Sequence, residues 1–274
     1  MKPNNMSSHS RIIYNPQFPF VEIRYTKASD RAYEAHAHPT LSIGIVAEGE
    51  TIFHTPQGDF LLNFGGLAII EPHIQHTCNP RFGTKRTYFM LYLDTDFCLA
   101  IQNRLFHTSA SKLLPLKNPL IHHKALFESF LSLMNDFLVD SNASHIKALE
   151  VWLEKFFWLY THRVNVPLSQ TTIDNVAHFL SERLDEPIRL DMLASRFGLN
   201  PYVLIRRFKK VFGCPPKHYW LDLKIHHAKK LLQEGMPIAL CAQYCGFSDQ
   251  SHFHRFFKRK TALSPKEYQV NFIQ

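Results

Sequence analysis

The chain has 274 residues, 45% of them apolar and 13% aromatic, which is enough for one large or two ordinary globular domains. Its five cysteines lack the paired spacings of a disulfide framework or a zinc finger. Residues 170–274 hold 16 Lys and Arg against 9 Asp and Glu, whereas residues 1–169 hold 15 against 14. Because phosphate contacts need cationic side chains, this asymmetry favours a nucleic-acid partner for the C-terminal part.

The N-terminal residues 1–10 are polar, so neither a signal peptide nor an anchor is expected there. No stretch of the sequence reaches the roughly 18 apolar residues that a membrane span needs. We therefore expect a cytoplasmic protein without a membrane partner.

The segment 20–93 alternates short apolar runs with turn residues, which is typical of an antiparallel sheet. Six strands are predicted, over residues 21–26, 41–47, 51–55, 60–63, 67–70 and 87–93. Strands this short and this closely spaced indicate a small β-barrel or jelly roll that can enclose a ligand.

Residues 119–163 change to helical periodicity. Two apolar stripes predict an antiparallel helix pair, joined at residues 140–144: Phe127, Phe130, Leu131, Met134 and Leu138 on the first helix, and Ile146, Leu149, Leu153, Phe156 and Tyr160 on the second. The second helix carries four further apolar residues: Trp152, Phe157, Trp158 and Leu159. Burial on two sides within one chain would explain them, but we favour contact with another subunit, and so a homodimer.

Residues 164–171 lack periodicity and contain Pro167, so we expect them to link two domains. The first domain would span residues 1–163, with the barrel and the helix pair, and the second residues 172–274. The predicted fold class is α+β, with an all-α C-terminal domain.

The C-terminal domain holds one pattern twice. In the first copy, a short apolar stripe from Leu190 ends at Gly198, a residue that suits a helix C-terminus, and Pro201 suits the first turn of a second helix. The second copy repeats the first helix and the glycine at an offset of 48, and the second helix at an offset of 49. A helix over residues 217–233 lies between them. Duplicated helix-turn-helix units with basic outer faces are typical of major-groove binding.

Five stretches of this region resemble the AraC/XylS family of bacterial transcription regulators: residues 198–201, 206–210, 215–219, 246–253 and 264–268. The resemblance implies two helix-turn-helix units on a rigid helix, which bind successive major grooves of promoter DNA, and it adds RNA polymerase as a partner if the protein activates. Carried over by position, the base-facing residues are Tyr202, Ile205, Arg206, Gln250, Ser251, His254 and Arg255. Lys209, Lys210 and Lys258 complete the predicted DNA-binding set. Arg189 departs from the family, which usually has a Ser or Thr cap at that position.

Three histidines stand in short motifs that resemble reduced cupin motifs, which the family often carries in its sensor domain: His36, His38 and His76. On a strand, the first two would face the same way, and with the third they could anchor an effector. They could also bind a divalent metal with one open position. No other cofactor is expected.

A metal-dependent cupin enzyme is the rival class, with a metal-sensing regulator as a further alternative on the same three histidines. A catalytic cupin usually adds a glutamate, but Ser42 and Ile43 occupy the positions where it should fall. We therefore expect an effector-controlled regulator rather than an enzyme. A purely architectural DNA-binding protein would not need the barrel.

Overall fold

The computed structural model describes residues 9–162 and 171–271, which form two compact units. The first unit holds residues 9–32, 40–72 and 78–162, and the second holds residues 33–39, 73–77 and 171–271. Residues 164–170 of the predicted linker lie outside the described residues. Within the two described ranges, no helix is both long enough and apolar enough to cross a membrane.

The first unit is built on two β-sheets. Its strands are β1 (His9–Tyr14), β2 (Val21–Ser29), β3 (Leu41–Glu48), β4 (Thr51–Thr55), β5 (Gly58–Leu62), β6 (Gly66–Ile70), β7 (Thr77–Pro80), β8 (Arg86–Leu93) and β9 (Leu120–His122). One sheet has the order β1-β2-β8-β3-β6-β9 and the other the order β5-β4-β7. Neighbouring strands of the larger sheet run antiparallel.

All six predicted strands are present, and their ends differ from the prediction by at most three residues. Strands β1, β7 and β9 are additional to the six predicted strands. The last two have only four and three residues, too few for alternation to stand out. The α+β fold class is confirmed.

Three helices complete the first unit: α1 (Thr95–Phe106), α2 (Lys124–Val139) and α3 (Ala143–Tyr160). Helix α1 is additional to the predicted elements, and Asp94 caps it by accepting bonds from two amides of its first turn. The predicted pair α2 and α3 is present. The indole of Trp152 on α3 donates to the Leu126 carbonyl, at 3.2 Å, and to Ser129 Oγ, at 3.1 Å, and so ties the two helices together.

The surplus apolar residues of α3 divide into two groups. Trp152 and Phe157 are buried inside the first unit, whereas Trp158 is 53% exposed and Leu159 is 37% exposed. Burial within one chain therefore accounts for half of the surplus. Contact with another subunit stays a prediction for the rest.

The helices of the second unit are α4 (Thr172–Ser181), α5 (Leu190–Arg196), α6 (Pro201–Phe212), α7 (Pro216–Gln233), α8 (Ile238–Tyr244), α9 (Gln250–Thr261) and α10 (Pro265–Val270). Helix α7 starts one residue before the helix predicted over residues 217–233 and ends at the predicted residue. Thr171 and Asp174 form a reciprocal capping box at the start of α4. A second box, made by Ser264 and Glu267, starts α10, which the sequence analysis did not assign.

Candidate nucleic-acid interface and histidine cluster

Helices α5 and α6 form the first helix-turn-helix unit. The turn depends on Gly198, whose φ of +64° is cheap for glycine alone, and on Asn200, whose side chain accepts a bond from the amide of Tyr202 at 2.9 Å. Arg189 stands at the N-cap of α5 and makes no cap bond with its side chain. It pairs instead with Asp191, at 2.7 Å. Helix α8, which begins the second helix-turn-helix unit, likewise has no side-chain cap bond at its N-cap, Pro237.

The outer face of α6 is polar and basic. Leu204 and Phe208 are fully buried against the rest of the second unit, so they fix which face turns outward. The predicted DNA-binding residues Tyr202, Arg206, Lys209 and Lys210 are all exposed, and Ile205 is half-buried. Tyr202 is 83% exposed, and its ring and hydroxyl group are both accessible to a partner.

Helices α8 and α9 form the second helix-turn-helix unit. Gly246 has a φ of +63°, within a degree of its counterpart Gly198. A Cβ at Gly246 would lie 2.9 Å from the backbone oxygen of Asp185, so this turn needs glycine for space as well as for conformation. Asp249 caps α9 by accepting from the amide of His252 at 2.7 Å. The two helix-turn-helix units share their turn geometry.

The outer face of α9 carries the second set of predicted DNA-binding residues. Phe253, Phe256 and Phe257 are buried and anchor the helix. The residues Gln250, Ser251, His254, Arg255 and Lys258 are all exposed. The structure therefore brings each predicted set onto one helix face.

Helix α7 holds the two helix-turn-helix units in one body. Its 18 residues span about 27 Å at 1.5 Å per residue. Three residues of the predicted stripe are buried, Ile225, Ala228 and Leu232, whereas Leu221 is half-buried. The length of α7 is comparable with the roughly 34 Å between successive major grooves.

A buried ion pair connects α7 to α9, and the sequence analysis did not find it. Asp222 and Lys260 are 4% and 8% exposed, and Lys260 Nζ lies 2.9 Å from Asp222 Oδ1. Burial raises the pKa of Asp222 to about 6, against the opposing effect of the Lys260 charge. The burial of Lys260 could have been predicted from its spacing. Lys260 lies four residues after Phe256 and three after Phe257, so it falls on the apolar face of α9.

Both members of this ion pair also bind the backbone of residues 33–39, within the same unit. The Ala37 amide donates to Asp222 Oδ2 at 2.9 Å, and Lys260 Nζ donates to the Ala35 carbonyl at 2.6 Å. The Glu34 amide donates to the Arg259 carbonyl at 3.1 Å. We call residues 33–39 the strap. It is held by main-chain contacts to α7 and α9.

The three predicted ligand-binding histidines lie together in this second unit. His36 is joined to His76 by an isolated antiparallel bridge, with N–H to carbonyl distances of 3.1 and 2.9 Å. His36 and His38 do not lie on one of the named strands, so the expectation that alternate strand residues face the same way does not apply to them. One nitrogen from each of His36, His38 and His76 lies within 4.8 Å of the others.

Burial favours the neutral form of all three imidazoles. Burial lowers the pKa of His76 to about 4 and holds the pKa values of His36 and His38 well below their usual range. Mutual repulsion between the rings acts in the same direction. Neutral imidazole is the form that binds a metal or accepts a hydrogen bond.

Comparison with known proteins identifies both parts of the chain. The model of the AraC-like ligand binding domain matches residues 19–151, and a helix-turn-helix domain model matches residues 193–271. The HTH-type transcriptional regulator YbfI of Bacillus subtilis is 26% identical over 255 residues, which is 90% of each chain. The MmsAB operon regulatory protein of Pseudomonas aeruginosa is 24% identical over 89% of this chain and 80% of its own.

A solved structure agrees with the fold. Wild-type ToxT from Vibrio cholerae, with an unsaturated fatty acid bound, has a TM-score of 0.63 at 14% identity and covers 98% of this chain and 97% of its own. A ligand-binding domain followed by a duplicated helix-turn-helix defines a class of DNA-binding transcription regulators. The chain belongs to the AraC/XylS family of that class. It is a transcription regulator and not an enzyme.

Proposed function

We propose that the protein regulates transcription by placing α6 and α9 in two successive major grooves of a promoter. The observation that carries this proposal is the matched exposure of the two second helices. Arg206 and Arg255 stand at equivalent positions of the two copies, and both are exposed. Arginine pairs with guanine in the major groove, and Gln250, at the start of α9, suits adenine.

The two helices would divide the reading of bases unequally. On α9, Gln250, Ser251, His254 and Arg255 offer donors and acceptors on one exposed face. On α6, the half-buried Ile205 offers only apolar contact, which suits a thymine methyl group. We therefore assign most of the base preference to α9 and more of the positioning to α6.

Phosphate contacts would come from the lysines of the same helices. Lys209 and Lys210 lie in the last turn of α6, and Lys258 lies in the last turn of α9. Their ammonium groups bind phosphates as point charges, with little preference for sequence. They would set the register of the protein on DNA.

We place the effector in the first unit, because the AraC-like ligand-binding match at residues 19–151 covers its sheets. The fatty acid in ToxT makes unsaturated fatty acids the first ligands to test here. The predicted effector contacts His36, His38 and His76 belong to the second unit, so we assign them a ligand of different chemistry below. The effector must bind two states of the protein unequally to control it.

We further propose a homodimer through α3, which acts in the cytoplasm. Val151 and Trp158 are 57% and 53% exposed and stand seven residues apart, on one face of the helix. Two such faces could bury each other in a symmetric contact. RNA polymerase becomes a partner if the protein activates.

The test is selection of duplexes from a random DNA library by the full-length protein, followed by binding titrations on the selected operator. The double variant Gln250→Ala/Arg255→Ala should lose at least about tenfold in preference for the operator over random DNA, since each bidentate contact discriminates by about 1–3 kcal/mol. The matched control is Arg104→Ala, which removes an arginine that is ion-paired on α1, and it should retain the preference. Failure to enrich any sequence, or a double variant with unchanged preference, would refute the proposal.

A further inference from the structure

The ring orientations of the cluster leave one nitrogen of each bridged histidine available to a ligand. His36 Nδ1 lies 2.9 Å from the Glu34 carbonyl, and His76 Nδ1 lies 2.9 Å from the Ile74 carbonyl. A carbonyl oxygen only accepts, so each Nδ1 must carry the proton. In a neutral imidazole, Nε2 then holds the lone pair.

This pattern is the one that metal-binding histidines use. A histidine that binds a metal through one nitrogen almost always donates its other N–H to a carbonyl or a carboxylate, which fixes its tautomer and its orientation. Here two histidines do so with the same spacing, each to the residue two positions before it. The antiparallel bridge between them holds these two rings on adjacent backbones.

The distances are close to those of a filled site. The ring centroids of His36 and His38 lie 4.5 and 4.8 Å from that of His76, and the candidate ligand nitrogens lie within 4.8 Å of one another. Zinc holds nitrogen ligands at about 2.0–2.1 Å, so two tetrahedral ligands lie about 3.4 Å apart. The farthest pair would have to approach by at most about 1.4 Å, which side-chain rotation can supply.

The surrounding charges and the type of ligand both bear on which ion the cluster could bind. Lys260 and Lys229 contribute positive potential at the rings, which opposes a cation, but Lys260 is paired with Asp222. Three neutral imidazoles without a carboxylate suit zinc, copper, nickel or cobalt and not magnesium or calcium.

We propose that His36, His38 and His76 bind a divalent transition-metal ion of the zinc type, with a fourth position open to water, and that the ion stabilises the strap on α7 and α9. His36 and His38 flank Ala37, whose amide bonds Asp222 of α7. Ala35, next to His36, bonds Lys260 of α9. An ion that fixes both histidines therefore fixes the main-chain groups that bind the two helices.

The consequence for DNA binding rests on the proposed function. Helix α9 carries one reading face, and α7 sets the spacing between the two helix-turn-helix units. Metal occupancy would thus bias the geometry of the second unit from within that unit, separately from an effector in the first.

The metal site can be tested with Co²⁺, whose visible absorption reports the coordination geometry. Full-length protein without a His tag, freed of metal by a chelator, should bind about one equivalent with four-coordinate or five-coordinate bands. His76→Gln and His38→Gln keep a polar side chain and should each weaken binding by at least about tenfold. His54→Gln changes an exposed histidine that pairs with Asp59, and it should bind as the parent does.

Hydrogen exchange supplies a readout that does not depend on spectra or activity. At a metal concentration about 100 times Kd, exchange of peptides that cover residues 33–39 should slow by up to about 100-fold, and the His76→Gln protein should show no such slowing while its other peptides exchange as in the parent. Absence of saturable Co²⁺ binding, or binding that His76→Gln leaves unchanged, would overturn the site. Binding without slower exchange would overturn the link to the strap. If the protein binds Co²⁺ but selects no DNA, the proposed function fails and the metal site stands.

Discussion

Replacing Lys260 tests how much the stability of the strap, α7 and α9 depends on one buried charge. Replacement by Met keeps most of the volume but removes the ammonium group, which lies 2.9 Å from Asp222 Oδ1 and 2.6 Å from the Ala35 carbonyl. The carboxylate of Asp222 would stay buried, with the Ala37 amide at 2.9 Å but without its cation. We expect a large loss of stability in the second unit.

The magnitude follows from two losses. A hydrogen bond from a charged donor contributes about 1.5–3 kcal/mol, and this one joins Lys260 to Ala35. The second loss comes from Asp222, whose pKa burial already raises to about 6 while Lys260 opposes the rise. Without that cation the pKa of Asp222 in the folded protein rises further. At pH 7, a rise from 6 to 7 lowers the free energy of unfolding by about 1.4 kcal/mol. The total is about 3–4.5 kcal/mol, in the range for breaking a buried pair.

The pH dependence has a definite sign. When a carboxyl group has a higher pKa in the folded than in the unfolded state, the folded protein loses stability as the pH rises from the unfolded-state pKa to the folded-state pKa. The free energy of unfolding of the parent stops falling near pH 6, because the pKa of Asp222 is about 6. In Lys260→Met that pKa is higher, so the free energy of unfolding continues to fall above pH 6. The difference between variant and parent should therefore grow by up to about 1.4 kcal/mol per unit above pH 6.

Hydrogen exchange of α7 and α9 at pH 6, 7 and 8 measures this difference in the second unit alone. The double variant Asp222→Leu/Lys260→Met is the control. It removes both charges, so it should lose the pH dependence and recover the part of the loss that comes from the unpaired Asp222 carboxylate. A cost below about 1 kcal/mol that is equal at pH 6 and pH 8 would refute the reasoning.

Three further predictions concern DNA reading, turn geometry and assembly. Arg255→Ala should lose about 1–3 kcal/mol on the operator alone, whereas Lys209→Ala should weaken operator and random DNA alike and lower the salt slope by about one; titrations at two salt concentrations decide, and equal losses on both DNAs for Arg255→Ala would contradict its assignment. Gly246→Ala should cost more than Gly235→Ala in denaturant melts, since both have positive φ but only Gly246 would place a Cβ 2.9 Å from a backbone oxygen; equal costs would argue against crowding at the turn. Trp158→Glu should shift the full-length protein from dimer to monomer in sedimentation at tens of micromolar, and a parent that is already monomeric there would remove the dimer proposal.

The sequence was most informative where local chemistry decides the structure. Gly198 and Gly246 have positive φ, and Asn200 and Asp249 cap the helices that follow. These features depend on residues within a few positions of one another, so a single sequence displays them. The faces of α6 and α9 follow from the same periodicity. That is why the exposed sets could be predicted before the structure.

The strap could not be predicted, because its partners are far away in the sequence. The Ala37 amide and Asp222 are 185 positions apart, and Lys260 and the Ala35 carbonyl are 225 apart. Main-chain donors and acceptors leave no residue signature, and alanine carries no pattern of its own. The short cupin-like motif around His36 and His38 pointed to a strand, which would have placed them in the sheets. The backbone bonds to α7 and α9 prevail over that tendency.

Lys260 is a local feature of the sequence that depends on a distant segment of the chain. On a helix held by Phe253, Phe256 and Phe257, an apolar residue at the next inward position would pack more simply than lysine. Lysine costs desolvation there, and that cost is offset only if a carboxylate and a carbonyl meet its ammonium group. Asp222 and Ala35 supply both, so Lys260 makes sense only in a chain whose strap lies on α9. A buried charge on an apolar stripe is therefore a sequence signal that a distant segment completes the unit.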